Sequence, residues 1–196
     1  MGKLIVVAMS SVDGYYEGPR GAGDLEPSGV DDGFNGYNAD IVQRAATVVI
    51  GRRSFEDFSS YWPDRDTAED ASDAERRFAR TYNSVPKVVV SREPSSVTVP
   101  ELWRDHTRVV SEDVEGEVAQ LKEQATGGDV LVWGSRDVWT QLWSAGLVDE
   151  LHLVAGTGVA SGGTPVFPDG TDADLTPIET RVLPDSTCVL TTYAVG

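Results

Sequence analysis

The sequence predicts an α/β fold: a central, mostly parallel mixed sheet, flanked by helices and finished by an antiparallel strand or strands at the C-terminus. Three observations carry that expectation. Short runs rich in Val, Ile and Leu recur along the chain, several of them almost continuously apolar, as strands covered on both faces are. Between them lie stretches with the apolar spacing of helices, so the order reads strand, helix, strand again and again. The last apolar run, Cys188 to Val195, alternates apolar and polar residues instead, which suits an edge or antiparallel strand. At 196 residues the chain is expected to form one domain over residues 1–196, since domains typically run to roughly 100 to 200 residues.

In chain order, the strand candidates are Leu4 to Met9, Thr47 to Ile50, Lys87 to Val90, Arg108 to Val110, Val130 to Trp133, Leu151 to Ala155 and Cys188 to Val195. The clearest helix places Val114, Val118, Leu121 and Ala125 on one stripe and stops at Gly127-Gly128. Another runs from Ser135, a residue type that caps helix starts, through Val138, Trp139, Leu142 and Trp143 to Gly146. Tyr37 to Ala46 and Ala71 to Tyr82 carry weaker helical patterns. Gly14 to Asn35 and Trp62 to Asp73 read as long loops.

Composition removes several functional classes. Sixteen Lys and Arg against 32 Asp and Glu give a formal charge of -16, which repels nucleic-acid backbones and anionic membranes. The apolar run at the start is too short for a secretory leader and no run is long enough to span a bilayer, so a cytoplasmic protein is expected. Cys188 has no partner for an internal disulfide, and with only His106 and His152 the chain lacks a cluster for structural zinc. Cys188 lacks basic neighbours in the sequence and is not expected to act as a nucleophile, and His152 is expected to be structural or at the surface.

The informative feature is where arginine sits in this acidic chain. Val48 to Ile50 exits into Gly51-Arg52-Arg53-Ser54, Val88 to Val90 into Ser91-Arg92, and Leu131 to Trp133 into Gly134-Ser135-Arg136. In an open α/β sheet, ligands bind in the crevice at the carboxyl ends of the strands, where helix starts offer unpaired N–H groups to an anion. Glycine lets a phosphate approach the backbone, and guanidinium groups grip it. Three exits with one chemistry predict an anion pocket. The dinucleotide fingerprints, by contrast, are absent in context: neither Gly21-Ala22-Gly23 nor Gly156-Thr157-Gly158 joins a strand directly to a helix.

The blocks LIVVAMSSVDG (4–14), ATVVIGRRSFEDF (46–58), KVVVSR (87–92), GDVLVWGSRDVWTQLWSAGLVDELHL (128–153) and GGTPVF (162–167) occur in an order that resembles the dihydrofolate reductase-like superfamily. The resemblance is strongest to the C-terminal reductase domain of bifunctional riboflavin-biosynthesis deaminase-reductases. It implies a dihydrofolate reductase-like fold, a homodimer, and a reductase using NADPH. Carried over by position, it implies that Gly51, Arg52, Arg53 and Ser54 hold cofactor phosphates and that Ser91 and Arg92 meet the adenosine 2'-phosphate. Gly134, Ser135, Arg136, Asp137 and Val138 would lie at the pyrophosphate and nicotinamide end, and the backbone of Ala8 would face the carboxamide. Two departures stand out. Gly-Gly of the family is Gly134-Ser135 here, and no lysine accompanies Ser11-Val12-Asp13-Gly14 as one usually does in the riboflavin enzymes.

A hydride transfer needs a positioned acceptor and a proton, from a carboxylic acid raised by burial or from an ordered water. Asp13, at the end of the first strand, and Asp32, near the next helix, are the candidate acids. The expected substrate is a small pteridine- or pyrimidine-like heterocycle, or a carbonyl or imine. The competing readings are a nucleotide-binding or scaffold protein without catalysis, and a flavin- or mononucleotide-binding protein.

Overall fold

The computed structural model describes residues 1–21, 23–25 and 29–196; within the long loop expected over Gly14 to Asn35, Ala22 and residues 26–28 lie outside the described residues. The chain runs β1 (Leu4–Ser10), β2 (Tyr15–Glu17), α1 (Asp32–Val42), β3 (Ala45–Gly51), α2 (Arg52–Tyr61), α3 (Asp73–Ser84), β4 (Lys87–Val90) and β5 (Thr107–Val110). It continues through α4 (Val114–Gln124), β6 (Asp129–Trp133), α5 (Arg136–Ser144), β7 (Glu150–Ala155), β8 (Thr164–Pro165), β9 (Leu175–Val182) and β10 (Val189–Val195). Eight strands form one sheet in the order β5-β4-β3-β6-β1-β7-β10-β9, and β2 pairs with β8 beside it. All neighbours from β5 to β7 are parallel; β10 is antiparallel to both β7 and β9.

The near-continuous apolar strands are explained by burial on both faces. Ile5 and Val7 of β1, Val48 and Ile50 of β3, and Leu131 and Trp133 of β6 join the core under α1, α2 and α3. Their alternates Leu4, Val6, Ala8, Val49, Val130 and Val132 pack with Val118, Val138, Trp139 and Leu142 of α4 and α5. The first core is rich in rings: Phe78 meets Trp62 edge-on at 4.4 Å between centroids and Trp133 at 5.0 Å, and Tyr82 lies against Trp103 at 5.3 Å.

Lys87 is the exception in this apolar interior. It opens β4 with its side chain fully buried, and its Nζ donates to the carbonyls of Tyr82 (2.6 Å) and Val85 (2.9 Å) at the end of α3. Those carbonyls have no further helical donor, so the lysine caps α3 from within. Its Nζ also lies over the Tyr82 and Trp103 rings at 4.6 and 4.7 Å. Burial without a carboxylate pushes its pKa down to about 7.

Helix starts differ from the sequence reading in an explicable way. α1 begins at Asp32, five residues before the expected start, because the Asp31 carboxylate accepts from the Phe34 N–H at 2.9 Å and nucleates the turn. α3 begins at Asp73 under a capping box of Ser72 and Glu75. β9 was not expected from the sequence, since five consecutive residues are exposed and Pro177 interrupts them. It is an edge strand, where proline costs no ladder bond.

Candidate active site

Adjacent strands β3 and β6 send their following helices to opposite faces of the sheet: α2 packs with the first core and α5 with the second. At the carboxyl end of such a pair the chain parts, which is where open α/β sheets form their ligand crevices. The Arg-bearing exits meet there. Gly51 ends β3 in register with Val90 of β4, and Val49 lies in register with Val132 of β6. The Gly51 N–H donates to Ser135 Oγ (2.7 Å), which itself donates to the Trp133 carbonyl (3.0 Å). Ser54 Oγ donates to the Gly134 carbonyl at 2.5 Å. These bonds tie the starts of α2 and α5 into one unit.

Glycine is required at both corners. A Cβ on Gly51 would stand 3.3 Å from both Ser135 Oγ and Val138 Cγ2, and Gly134 has φ +57°. The helix starts themselves are bare. Side chains accept from backbone N–H groups at the starts of α1, α3 and α4, whereas α2 (N-cap Gly51) and α5 (N-cap Ser135) have no side-chain cap bond. Two sets of first-turn N–H groups therefore face the crevice with positive dipole ends. Valine in place of Gly134 is expected to keep the fold, at a cost of about 1 to 2 kcal/mol for a left-handed residue. Thermal unfolding of the variant beside the wild type checks that cost.

The charges sort themselves. Arg52 does not point into the open: it bonds Ser96 Oγ (2.8 Å) and pairs with Glu93 (3.5 Å) and Glu56 (3.8 Å), bridging the β3 and β4 exits. Ser91 is buried and its Oγ accepts from the Glu93 N–H, so it shapes the turn that presents Arg92. Arg53 and Arg92 are exposed. Among the described residues, the arginines without a carboxylate partner are Arg53, Arg80, Arg92 and Arg136. Three of these four belong to the strand exits. Arg136 Nε donates to the Pro165 carbonyl (2.7 Å), tying the start of α5 to β8. Asp137 is exposed in the first turn of α5, and Val138 is buried under the Gly51 corner.

Two of the expected residues are engaged elsewhere in the fold. Ala8 lies on β1, but the Ser10 carbonyl accepts from Gly156 and the Leu4 carbonyl from Asp149, both on the β7 side, while the Lys3 carbonyl accepts from Val130 of β6. Backbone direction alternates along a strand, so the peptide groups of Ala8 also point to β7 and are spent in the ladder. Met9 faces the other way. The β1–β6 register ends at Val7–Trp133, leaving the Met9 N–H and C=O at the open end of the crevice. Only the point at which a neighbouring strand stops decides this, and no sequence signal records it.

Asp13 is the second of them. Its carboxylate accepts the backbone N–H groups of Ala160 (2.9 Å) and Ser161 (2.8 Å), fastening the loop after β1 to the loop after β7. Those bonds and the Ser11 hydroxyl hold its pKa down to about 2, so it carries no proton to donate near neutrality. Because the folded value is depressed, its contribution to stability is complete above the ordinary value of 3.8 and is lost as pH falls through about 2. Asp13→Asn is expected to lower the melting temperature at neutral pH, which thermal unfolding beside the wild type checks.

Asp32 is exposed in the first turn of α1, in a position that suits the helix dipole and not the water-poor surroundings of a buried acid. Its neighbour Asp31 is fully engaged, with Oδ1 on the Phe34 N–H and Oδ2 accepting from Ser186 Oγ (2.8 Å). Cys188 is buried with its Sγ on the Gly29 carbonyl, and His152 is buried between Tyr37 (2.6 Å) and Glu150 (3.2 Å).

Residues 2–189 match the family model of the RibD C-terminal domain. The chain belongs to that family. No curated protein sequence matches it. Among solved structures, a putative riboflavin biosynthesis protein from a Shewanella species is 23% identical, with 99% of each chain covered and a TM-score of 0.69. A diaminohydroxyphosphoribosylaminopyrimidine deaminase/5-amino-6-(5-phosphoribosylamino)uracil reductase from Thermotoga maritima is 14% identical at a TM-score of 0.68. All of this chain matches 57% of that larger one. Dihydrofolate reductase from Enterococcus faecalis, complexed with NADP(H), is 13% identical at a TM-score of 0.58, covering 100% of this chain and 97% of that one. The RibD C-terminal domain of this chain thus has the dihydrofolate reductase-like fold expected from its motifs. Among the described residues, no helix is long and apolar enough to cross a membrane.

Proposed function

We propose that this RibD-family domain is an NADPH-dependent reductase that delivers hydride to a small pyrimidine- or pteridine-like heterocycle, or to a carbonyl or imine of similar size. The observation that carries the reading is the meeting, at one topological switch point, of two uncapped helix starts with Arg53, Arg92 and Arg136, none of which has a carboxylate partner. A dinucleotide with an additional 2'-phosphate fits that set. The N–H groups of α2 and α5 suit the pyrophosphate, Arg53 and Arg92 suit the 2'-phosphate, and the Met9 peptide suits the carboxamide. Family membership and the activities of the Thermotoga maritima and Enterococcus faecalis proteins agree with it.

When bound, the nicotinamide supplies the hydride; this chain's residues place it and exclude water. Buried Ser10, Ser11, Trp133 and Ser135 form the floor where β1 and β6 part, and Met9 would fix the ring orientation. With Asp13 locked as a carboxylate and Asp32 exposed, the proton comes from an ordered water. The test is deuteride transfer from labelled NADPH to a panel of such compounds, preceded by titration of the cofactor. Transfer of label to one class of acceptor is expected. A protein that binds NADPH tightly and reduces nothing in the panel would instead be a nucleotide-binding scaffold. The homodimer implied by the resemblance would show as twice the 21.1 kDa chain mass in light scattering.

A further inference from the structure

We infer that the substrate end of this crevice selects a heterocycle without a phosphate ester, which it meets through hydroxyl and amino groups; the inference rests on the reductase reading above. The argument is the segregation of charge along the carboxyl edge of the sheet. At the β4-β3-β6 end stand Arg53, Arg92 and Arg136 with two uncapped helix starts. Across the β1-β7-β10 end, the walls come from the segments after β1 and β7 and from the β9–β10 turn.

Those segments are almost free of cations. Between residues 4 and 43 the only lysine or arginine is Arg20, and between 137 and 180 there is none. Arg20 is turned onto Asp24, with its Nη2 donating to the Asp24 carbonyl (3.4 Å) and its Nε 3.7 Å from the carboxylate. Arg181 on β9 pairs with Glu179 at 3.1 Å. The helix that starts here, α1, offers no anion site, because the Asp31 carboxylate already occupies its N-terminus and is bonded to Ser186 of the β9–β10 turn. Exposed Asp32 and Asp185 flank that junction and add negative potential.

Among the described residues, a phosphate placed at this end would find no free helix start and one guanidinium, that of exposed Arg20, which already lies 3.7 Å from the Asp24 carboxylate, and it would face carboxylates that raise its energy. Hydroxyl and amino groups would find acceptors in the same carboxylates. The two ends therefore divide the work: phosphates of the cofactor at one, an unphosphorylated ring at the other. Selectivity here comes as much from repulsion of the wrong ligand as from attraction of the right one.

The test uses the full chain loaded with NADPH and two probes, 5-amino-6-(5-phosphoribosylamino)uracil and its dephosphorylated ribosylamino counterpart, each titrated by calorimetry. The expected result is binding of the dephosphorylated compound at least about tenfold tighter, with the gap narrowing in Asp32→Lys. Equal binding, preference for the phosphate ester, or binding of neither overturns the inference, as does a gap unchanged in Asp32→Lys. Cofactor titration in the same samples separates the two claims. Failure to bind NADPH removes the reductase reading and the inference together, whereas NADPH binding with a preference for the phosphate ester removes the inference alone.

Discussion

Alanine at Arg92 is expected to weaken NADPH binding by roughly 10- to 100-fold while leaving NADH binding within about threefold. A charge-assisted hydrogen bond contributes about 1.5 to 3 kcal/mol, and each 1.4 kcal/mol is about tenfold in affinity. The side chain is exposed and has no ion-pair partner among the described residues, so its removal breaks no such pair and the loss is read at the ligand. Arg53→Ala should act in the same direction, and the double variant should bind the two cofactors alike. Arg52→Ala serves as the contrast: its guanidinium is engaged by Ser96, Glu93 and Glu56, so its loss should loosen the β3–β4 corner without discriminating between the cofactors. Titration of all four proteins with NADPH and NADH checks the set. If Arg92→Ala weakens both cofactors equally, Arg92 does not read the 2'-phosphate.

Between pH 7 and 9, wild-type protein is expected to gain about 1 to 3 kcal/mol of stability relative to Lys87→Met. The sign follows from proton uptake. Burial lowers the folded-state pKa of Lys87 from 10.5 to about 7, so between those values the unfolded chain holds more protons and stability rises with pH, by at most about 1.4 kcal/mol per pH unit. The neutral amine still has two N–H groups for the Tyr82 and Val85 carbonyls, so the cap on α3 survives deprotonation. Methionine keeps an unbranched side chain, one atom shorter, and removes the titration. Urea unfolding of both proteins at pH 7, 8 and 9 isolates the lysine, because every other titrating group is common to both. Parallel curves would show that the carbonyls and the ring faces of Tyr82 and Trp103 hold the ammonium charged through that range.

The fold was legible in the sequence because its main signals are local. Strands buried on both faces must be apolar throughout, and Val48 to Ile50, Lys87 to Val90 and Val130 to Trp133 are recognisable with no knowledge of their neighbours. The helix over Val114 to Gln124 likewise announces itself by its buried stripe and its acidic first turn. β9 was not legible, since an exposed edge strand has neither pattern to show. Nor was the lysine cap of α3, because Lys87 opens an apolar run where a charge reads as the boundary of a strand.

At the candidate site the division is sharper. Glycine or serine followed by arginine or a hydroxyl at three strand exits is a chemical pattern, and chemistry is written residue by residue. What each group does there depends on what it touches. Folding gave Arg52 to Glu93 and left Arg53 open, locked Asp13 onto two backbone N–H groups, and set Met9 in place of Ala8 at the end of the β6 ladder. Such outcomes rest on register, on where a neighbouring strand stops and on contacts between residues as far apart as Asp13 and Ser161. The sequence by itself determined that the chain makes an α/β sheet with a basic edge; the tertiary structure alone decided which members of that edge remain free to hold a ligand.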